Sequence, residues 1–361
     1  MNSLNNSVYA PGAIRSLKKR IYQGRNGATV KSPKPYRILS IDGGGIRGII
    51  PATILWCLEQ KLQQKTKNPA ARLSDYFDFM TGTSTGGILV CIYLAPDELN
   101  PQRSARTARE ALDLYLSDGK HIFNQSLGRK ISSADGLLGQ KYCGENLEIY
   151  LKKAIGGDVK MSELVKPCLI PTYDLQQQEA LFMGKQAALS RPAYDLPAWQ
   201  VARSTSAAPT FFEPASVDIA GKEVLLADGG LFAKNPAMHG YLHAKTNIAR
   251  EQDTLVVSIG TGDCKAERSY QTLRRKGAMA WLKPLIQIMN TTGADLVNDQ
   301  MEQLFANTEN QYVRLDPCLH QADRAMDNAS QENMQALYEA GLHYIEQNSV
   351  QLDHLVNQLV R

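Results

Sequence analysis

The sequence predicts an α/β protein built on a central, largely parallel sheet with crossover helices. Two stretches carry that expectation. The apolar run Tyr36-Arg37-Ile38-Leu39-Ser40-Ile41 enters the glycine turn DGGGIRG (42–48), and a helix-forming stretch follows from Pro51 to about Lys65. The same order recurs with the apolar stretch Tyr76-Phe77-Asp78-Phe79-Met80, the turn GTSTGG and an apolar helix through Leu94. A helix between two strands carries the chain back across the sheet, so the strands run parallel. With 361 residues, 43% hydrophobic and 21% charged, the chain can bury the core of one large domain or two smaller ones.

Residues 1–36 read as a basic N-terminal arm. From Met1 to Arg37 there are eight Lys or Arg and no Asp or Glu, leaving 32 basic against 36 acidic residues in the remainder. Such a run is ordinarily a solvated tail; its functional alternative is a weak anchor for anionic lipid or a nucleic-acid phosphate. Beyond the arm, Pro51 suits the first turn of its helix, where a missing N–H costs nothing, and Pro96 ends the next. Residues 101–165 read as mostly helical, with a loop-like stretch around SSADGLLGQKYCG. KPCLIPTYDL (166–175) and EALFMG (179–184) read as strands, and PAWQVARSTSAAPTFF as a helix broken at Pro209. EVLLADGGL (223–231) and TLVVSIGTG (254–262) are strands running into glycine turns, while QYVRLDPCLHQ reads as a polar loop. From Ser330, apolar residues at helical spacing predict two amphipathic helices packed on the body rather than on a membrane.

The six cysteines are scattered, without C-x-x-C or metal-ligand spacing, and read as buried thiols in a reducing compartment. The N-terminus lacks the uninterrupted apolar segment of a secretory signal, and the longest apolar run, Ile88–Ala95, falls far short of a membrane span. The expectation is a cytoplasmic protein that meets a membrane only peripherally, at its inner face, with neither metal nor cofactor.

Gly82-Thr83-Ser84-Thr85-Gly86 is G-x-S-x-G between a strand and a helix. A nucleophilic Ser on so sharp a turn needs neighbours without bulky side chains, and the helix behind it points free N–H groups at developing negative charge. The competing reading is a small-residue turn without chemistry. The ordinary partner of such a Ser is His, yet none of the six histidines stands alone at a strand end. Asp228 does, closing EVLLAD just before Gly229 and Gly230; an Asx-turn is its plain alternative. The glycines 43, 45 and 48 also fit a dinucleotide fingerprint. That motif needs an acid at the end of the second strand, whereas Asp75 and Asp78 lie before or within it and the strand ends in GTSTG.

DGGGIRG, GTSTG and ADGG in this order resemble the patatin-like phospholipases, serine acyl hydrolases. Ser206-Ala207-Ala208-Pro209-Thr210-Phe211-Phe212 and Lys234-Asn235-Pro236-Ala237 resemble that family's intervening and acid segments, and the likeness runs from about Arg37 to Leu315. It implies a three-layer sandwich around the parallel sheet, related to α/β hydrolases by the nucleophile elbow. It implies a catalytic domain over 37–320, outside which the arm and the helices of 321–361 lie. It implies a Ser84–Asp228 dyad without His, an oxyanion hole from the amides of Gly43, Gly44 and Gly45, and positive charge from Arg47. The elbow itself adds the amide of Thr85. The implied activity is hydrolysis of phospholipid or other acyl esters, with transient contact at a membrane surface and no nucleic acid as partner. An acyltransferase sharing the acyl-enzyme and a non-catalytic lipid-binding module are the alternatives. RRKGAMAWLKPLIQIM (274–289) mixes basic residues with Trp281 and aliphatics, as a core-facing surface helix or an interfacial patch does. The segment resembles those of bacterial members, some gated by cyclic nucleotides in antiphage defence, so a cyclic dinucleotide activator is a subordinate expectation. Self-association is left open.

Overall fold

In the computed structural model, which describes residues 34–123, 140–262, 274 and 277–361, strand β1 (Tyr36–Ile41) is buried along its whole length. Its alternation explains why. Leu39 and Ile41 face one hydrophobic cluster, Tyr36 and Ile38 a second on the other side of the sheet.

From β1 the chain passes through the glycine turn into α1 (Ile49–Thr66), β2 (Phe79–Gly82), α2 (Thr85–Leu94), α3 (Ala108–Ile122) and α4 (Gly144–Ile155). Strands β3 (Cys168–Asp174) and β4 (Glu179–Met183) precede the helices α5 (Lys185–Ser190) and α6 (Ala198–Thr205). Then come β5 (Ala215–Ile219), β6 (Lys222–Asp228), α7 (Ala237–Asn247), β7 (Thr254–Ile259) and α8 (Ala278–Phe305). β8 (Gln311–Leu315), α9 (Gln331–Gln347) and α10 (Ser349–Val360) complete the described chain.

The strands form one mixed sheet in the order β5-β6-β3-β2-β1-β7-β8, with β4 also on β3. β3, β2, β1, β7 and β8 run parallel, while β4 and β6 pair antiparallel to β3 and β5 to β6. The larger cluster packs α1, α2, α3, α4, α6, α9 and α10 on one face through residues such as Ile54, Leu89, Leu112, Leu151, Val201, Leu337 and Leu355. On the other face Ala237 and Ala244 of α7 and Met301 and Phe305 of α8 cover Ile38, Phe79 and Val256. Helix, sheet and helix make the three-layer sandwich.

The C-terminal helices cover α1 closely. A Cβ on Gly341 of α9 would lie 2.9 Å from Thr53 Cβ, so glycine lets the two backbones approach. Leu352, Leu355, Val356 and Leu359 bury the inner face of α10, while Val350 is left exposed.

Three local expectations are corrected. β2 starts at Phe79 rather than Tyr76, because Leu73–Asp75 forms a 3-10 turn. α6 ends at Thr205, before Pro209. Residues 311–315 are a strand: Tyr312 and Val313 pack against opposite clusters, and Arg314 after them is neutralised by a distant acid, so local polarity reads as loop. Residues 1–33 of the basic arm, together with Arg275, Lys276 and the side chain of Lys283, lie outside the described residues. Among those described, no helix is long and apolar enough to cross a membrane.

Candidate active site

Ser84 sits between the end of β2 and the start of α2 with φ 54° and ψ −123°. A positive φ at a residue other than glycine is strained and has to be imposed by its surroundings. Here they are the glycines and two threonines. A Cβ on Gly82 would come within 2.2 Å of the Gly86 carbonyl oxygen, and one on Gly86 within 2.2 Å of the Ile41 carbonyl oxygen. The Ser84 N–H donates to Thr205 Oγ1 at 3.0 Å, and Thr205 Oγ1 donates to the Pro171 carbonyl at 2.6 Å. Thr83 Oγ1 donates to the Ala233 carbonyl at 2.6 Å. The elbow is thus bolted to α6, to β3 and to the segment after β6.

The Ser84 hydroxyl donates to Asp228 Oδ2 at 2.7 Å. Asp228 Oδ1 accepts from the Gly230 N–H at 2.6 Å, so the carboxylate makes the Asx-type turn with one oxygen and reaches Ser84 with the other. Gly229 is needed beneath it, since a Cβ there would stand 2.3 Å from the Pro171 carbonyl oxygen. Asp228 is 5% exposed. Burial raises its pKa to about 6, against the pull of the Gly230 N–H and the Ser84 hydroxyl, which favour the ionised form.

The glycine turn 42–46 is held at several of its backbone polar atoms. The Asp42 N–H donates to the Ile259 carbonyl at 3.0 Å and the Gly43 N–H to the Lys234 carbonyl at 3.0 Å. Thr261 Oγ1 donates to the Gly43 carbonyl at 2.9 Å, and the Ile46 N–H to the Met326 carbonyl at 2.8 Å. Arg47, 6% exposed, donates through Nη1 to the Gly262 carbonyl at 3.1 Å and through Nε to the Gly44 carbonyl at 3.5 Å. Gly45 has φ +61°, and the Met326 carbonyl oxygen would lie 2.1 Å from a Cβ there. The amides of Gly44, Gly45 and Thr85 have no hydrogen-bond partner among the described residues. Three amides were expected from the turn itself; that of Gly43 is engaged, which leaves two there and a third at the elbow.

Gly44, Gly45 and Thr85 all line one cavity, about 1140 Å³ including its open mouth, as do Gly43, Ser84 and Asp228. Its remaining wall is largely apolar, with Ile88, Phe123, Leu147, Phe211, Phe212 and Met289. Neither Arg47 nor any described histidine lines the cavity. His243 stacks on Phe79, His239 packs at a tilt against Phe182, and His320 packs edge-on against His343. Tyr115 supports the start of α2 by sharing a 2.6 Å hydrogen bond with Thr85 Oγ1. The roles of Thr205, Tyr115 and Met326 went unread in the sequence, and Lys234 was singled out only as part of the acid segment, because each acts across a long chain separation without a local motif.

Comparison with known proteins defines a class, the lipid acyl hydrolases among the carboxylic ester hydrolases. The family model described as patatin-like phospholipase matches residues 39–240. Patatin-like protein 2 of Arabidopsis thaliana is 34% identical over 336 residues, spanning 84% of this chain and 81% of that protein. Patatin group J-1 of Solanum tuberosum is 31% identical over 327 residues, spanning 84% and 82%. Among solved structures, human GIVD cytosolic phospholipase A2 with methyl gamma-linolenyl fluorophosphonate aligns with a TM-score of 0.44 at 13% identity, over 96% of this chain and 61% of that one. The chain belongs to the patatin-like phospholipase family.

Proposed function

We propose that this protein hydrolyses fatty acyl esters of phospholipid or a related lipid through an acyl-enzyme on Ser84, with Asp228 as base. The observation that carries the reading is the 2.7 Å hydrogen bond from the Ser84 hydroxyl to a buried carboxylate, in a largely apolar cavity edged by unpaired amides. Ser84 Oγ attacks the ester carbonyl as its proton passes to Asp228 Oδ2. The carbonyl oxygen takes the negative charge and is met by the amides of Gly44, Gly45 and Thr85. Collapse breaks the bond to the alcohol, which leaves with the proton from Asp228. Water then attacks the acyl carbon, gives its proton to Asp228, and the acid departs as Ser84 recovers that proton.

A carboxylate is ordinarily a weak base for a hydroxyl, and burial works in its favour. A pKa of about 6 brings Asp228 closer to neutrality than a solvated carboxylate. Preorganised amides do the rest, each worth about 3–4 kcal/mol where such donors have been removed from other serine hydrolases. Arg47 supports this indirectly, by its bond to the carbonyl of Gly44. The apolar wall suits an acyl chain, and Leu231 and Met289 line the cavity while staying partly exposed, which suits contact with a lipid surface.

The test is incubation of pure protein with mixed lipid extract, with mass spectrometry of what disappears and what fatty acid appears. Ser84→Ala is the control; lipid turnover undiminished in it defeats the mechanism. The same assay with added cyclic dinucleotide tests the activator expected from the bacterial resemblance of 274–289, which an unchanged rate rules out.

A further inference from the structure

The glycine turn is anchored from beyond the family-matched residues 39–240. Arg314 of β8 stands two strands from β1, across β7, in a row of the sheet that runs Ser40, Ser258, Arg314. Its guanidinium forks onto Asp42, with Nη1 at 3.0 Å from Oδ1 and Nη2 at 2.7 Å from Oδ2. Nη1 also donates to Ser258 Oγ at 2.8 Å and Nη2 to Asp316 Oδ2 at 3.0 Å. The Asp42 side chain is 1% exposed and that of Arg314 12%. Neither residue lines the cavity.

A bidentate guanidinium–carboxylate pair is a planar joint with one good geometry. Buried ion pairs contribute little net stability over apolar residues of the same volume, so orientation is what such a joint supplies. Asp42 immediately precedes the three glycines. Its direction sets how the chain enters a turn in which Gly43 is already held at both N–H and carbonyl by Lys234 and Thr261. What is left for Asp42 to govern is the aim of the Gly44 and Gly45 amides.

We propose that Arg314, acting through Asp42, is a positioning residue that aims the Gly44 and Gly45 amides at the carbonyl oxygen of the reacting ester. The inference rests on the Ser84 acyl-enzyme reading. A donor array misaimed by a fraction of an ångström still binds substrate but stabilises the oxyanion less, so the effect falls on kcat.

The experiment compares wild type, Arg314→Lys, Asp42→Asn and the double variant Asp42→Asn/Arg314→Gln on a soluble chromogenic acyl ester. Competent sites are titrated with a fluorophosphonate, so that misfolded protein is not counted. Arg314→Lys keeps the cation and loses the fork, which protects the test against a variant that fails to fold. The expected result is a fall in kcat per titrated site of about tenfold to a hundredfold, as for other small misplacements of catalytic groups. KM should stay within about twofold, and the double variant should be no worse than the poorer single one. An unchanged kcat per titrated site in Arg314→Lys, or a loss confined to KM or to the titratable fraction, overturns the proposal and leaves the Ser84 reading standing. Full activity of Ser84→Ala in the same assay overturns the Ser84 reading itself.

Discussion

Ser84 Oγ and Asp228 Oδ2 stand 2.7 Å apart across 144 residues of sequence, joined without a histidine between them. Everything near them works to preserve that distance: glycines that admit the elbow, threonines that hold it, and a turn at Gly230 that fixes the carboxylate.

The first prediction concerns the pair itself. Ser84→Ala should lower kcat on a chromogenic acyl ester by at least about 10⁴-fold, as loss of the nucleophile does in other serine hydrolases. Asp228→Asn should lower it by about 10²–10⁴-fold, the usual contribution of a general base. Steady-state rates with folded, monodisperse protein check both, and near wild-type turnover in either contradicts the assigned role.

The second concerns pH. Asp228 must be ionised to take the proton, and its pKa is about 6. The kcat/KM profile should therefore rise through pH 5–7 and level off above, with the midpoint near the Asp228 pKa. A profile flat across that range, measured with a substrate that does not titrate there, would show that another group accepts the proton.

The same shift has a thermodynamic side. A carboxyl whose folded pKa lies above its unfolded value of about 3.9 makes a contribution that is fully present below pH 4 and lost as pH climbs through 6. At pH 8 the buried charge costs roughly 2–3 kcal/mol, so Asp228→Asn should melt several degrees higher than wild type there and gain little at pH 4. Thermal melts of both proteins at the two pH values check the sign; equal shifts at both would point to packing instead of charge.

Thr205→Val keeps the shape of the side chain and removes the acceptor for the Ser84 N–H. It should destabilise the fold by about 1–3 kcal/mol, the usual cost of a buried polar group left unpaired, and lower kcat about tenfold. Thr205→Ser should restore most of both, and denaturant titration alongside kinetics separates the two effects.

Gly86→Ala tests the elbow. Its methyl would collide with the Ile41 carbonyl oxygen, which belongs to the central strand and has no room to retreat. The expected outcome is a loss of about 3 kcal/mol or more, read as lower soluble yield and a lower midpoint in urea. A stable, active Gly86→Ala protein would mean that the turn relaxes far more than its packing suggests.

Much of this was legible before any fold was known. The glycine turn, the elbow and the strand-ending Asp228 are local patterns, because each needs small neighbours or a strand end within a few residues. Periodicity was equally local, and it placed β1, α1, β7 and the two C-terminal helices. β8 escaped because Arg314 makes a half-buried edge strand look polar, and its neutralising partner Asp42 is 272 residues away.

The sequence by itself determined the order of strands and glycine turns and the residue types proposed to carry the chemistry, since backbone sterics and side-chain periodicity act over a few residues. Only the tertiary structure decided which amides stay free. Gly43, Gly44 and Gly45 are alike in sequence, yet the Gly43 N–H is taken by a carbonyl from the segment after β6, while those of Gly44 and Gly45, which line the cavity, have no partner among the described residues. Hydrogen-bond partners at such separations are chosen by how the layers pack, and no local pattern records that choice.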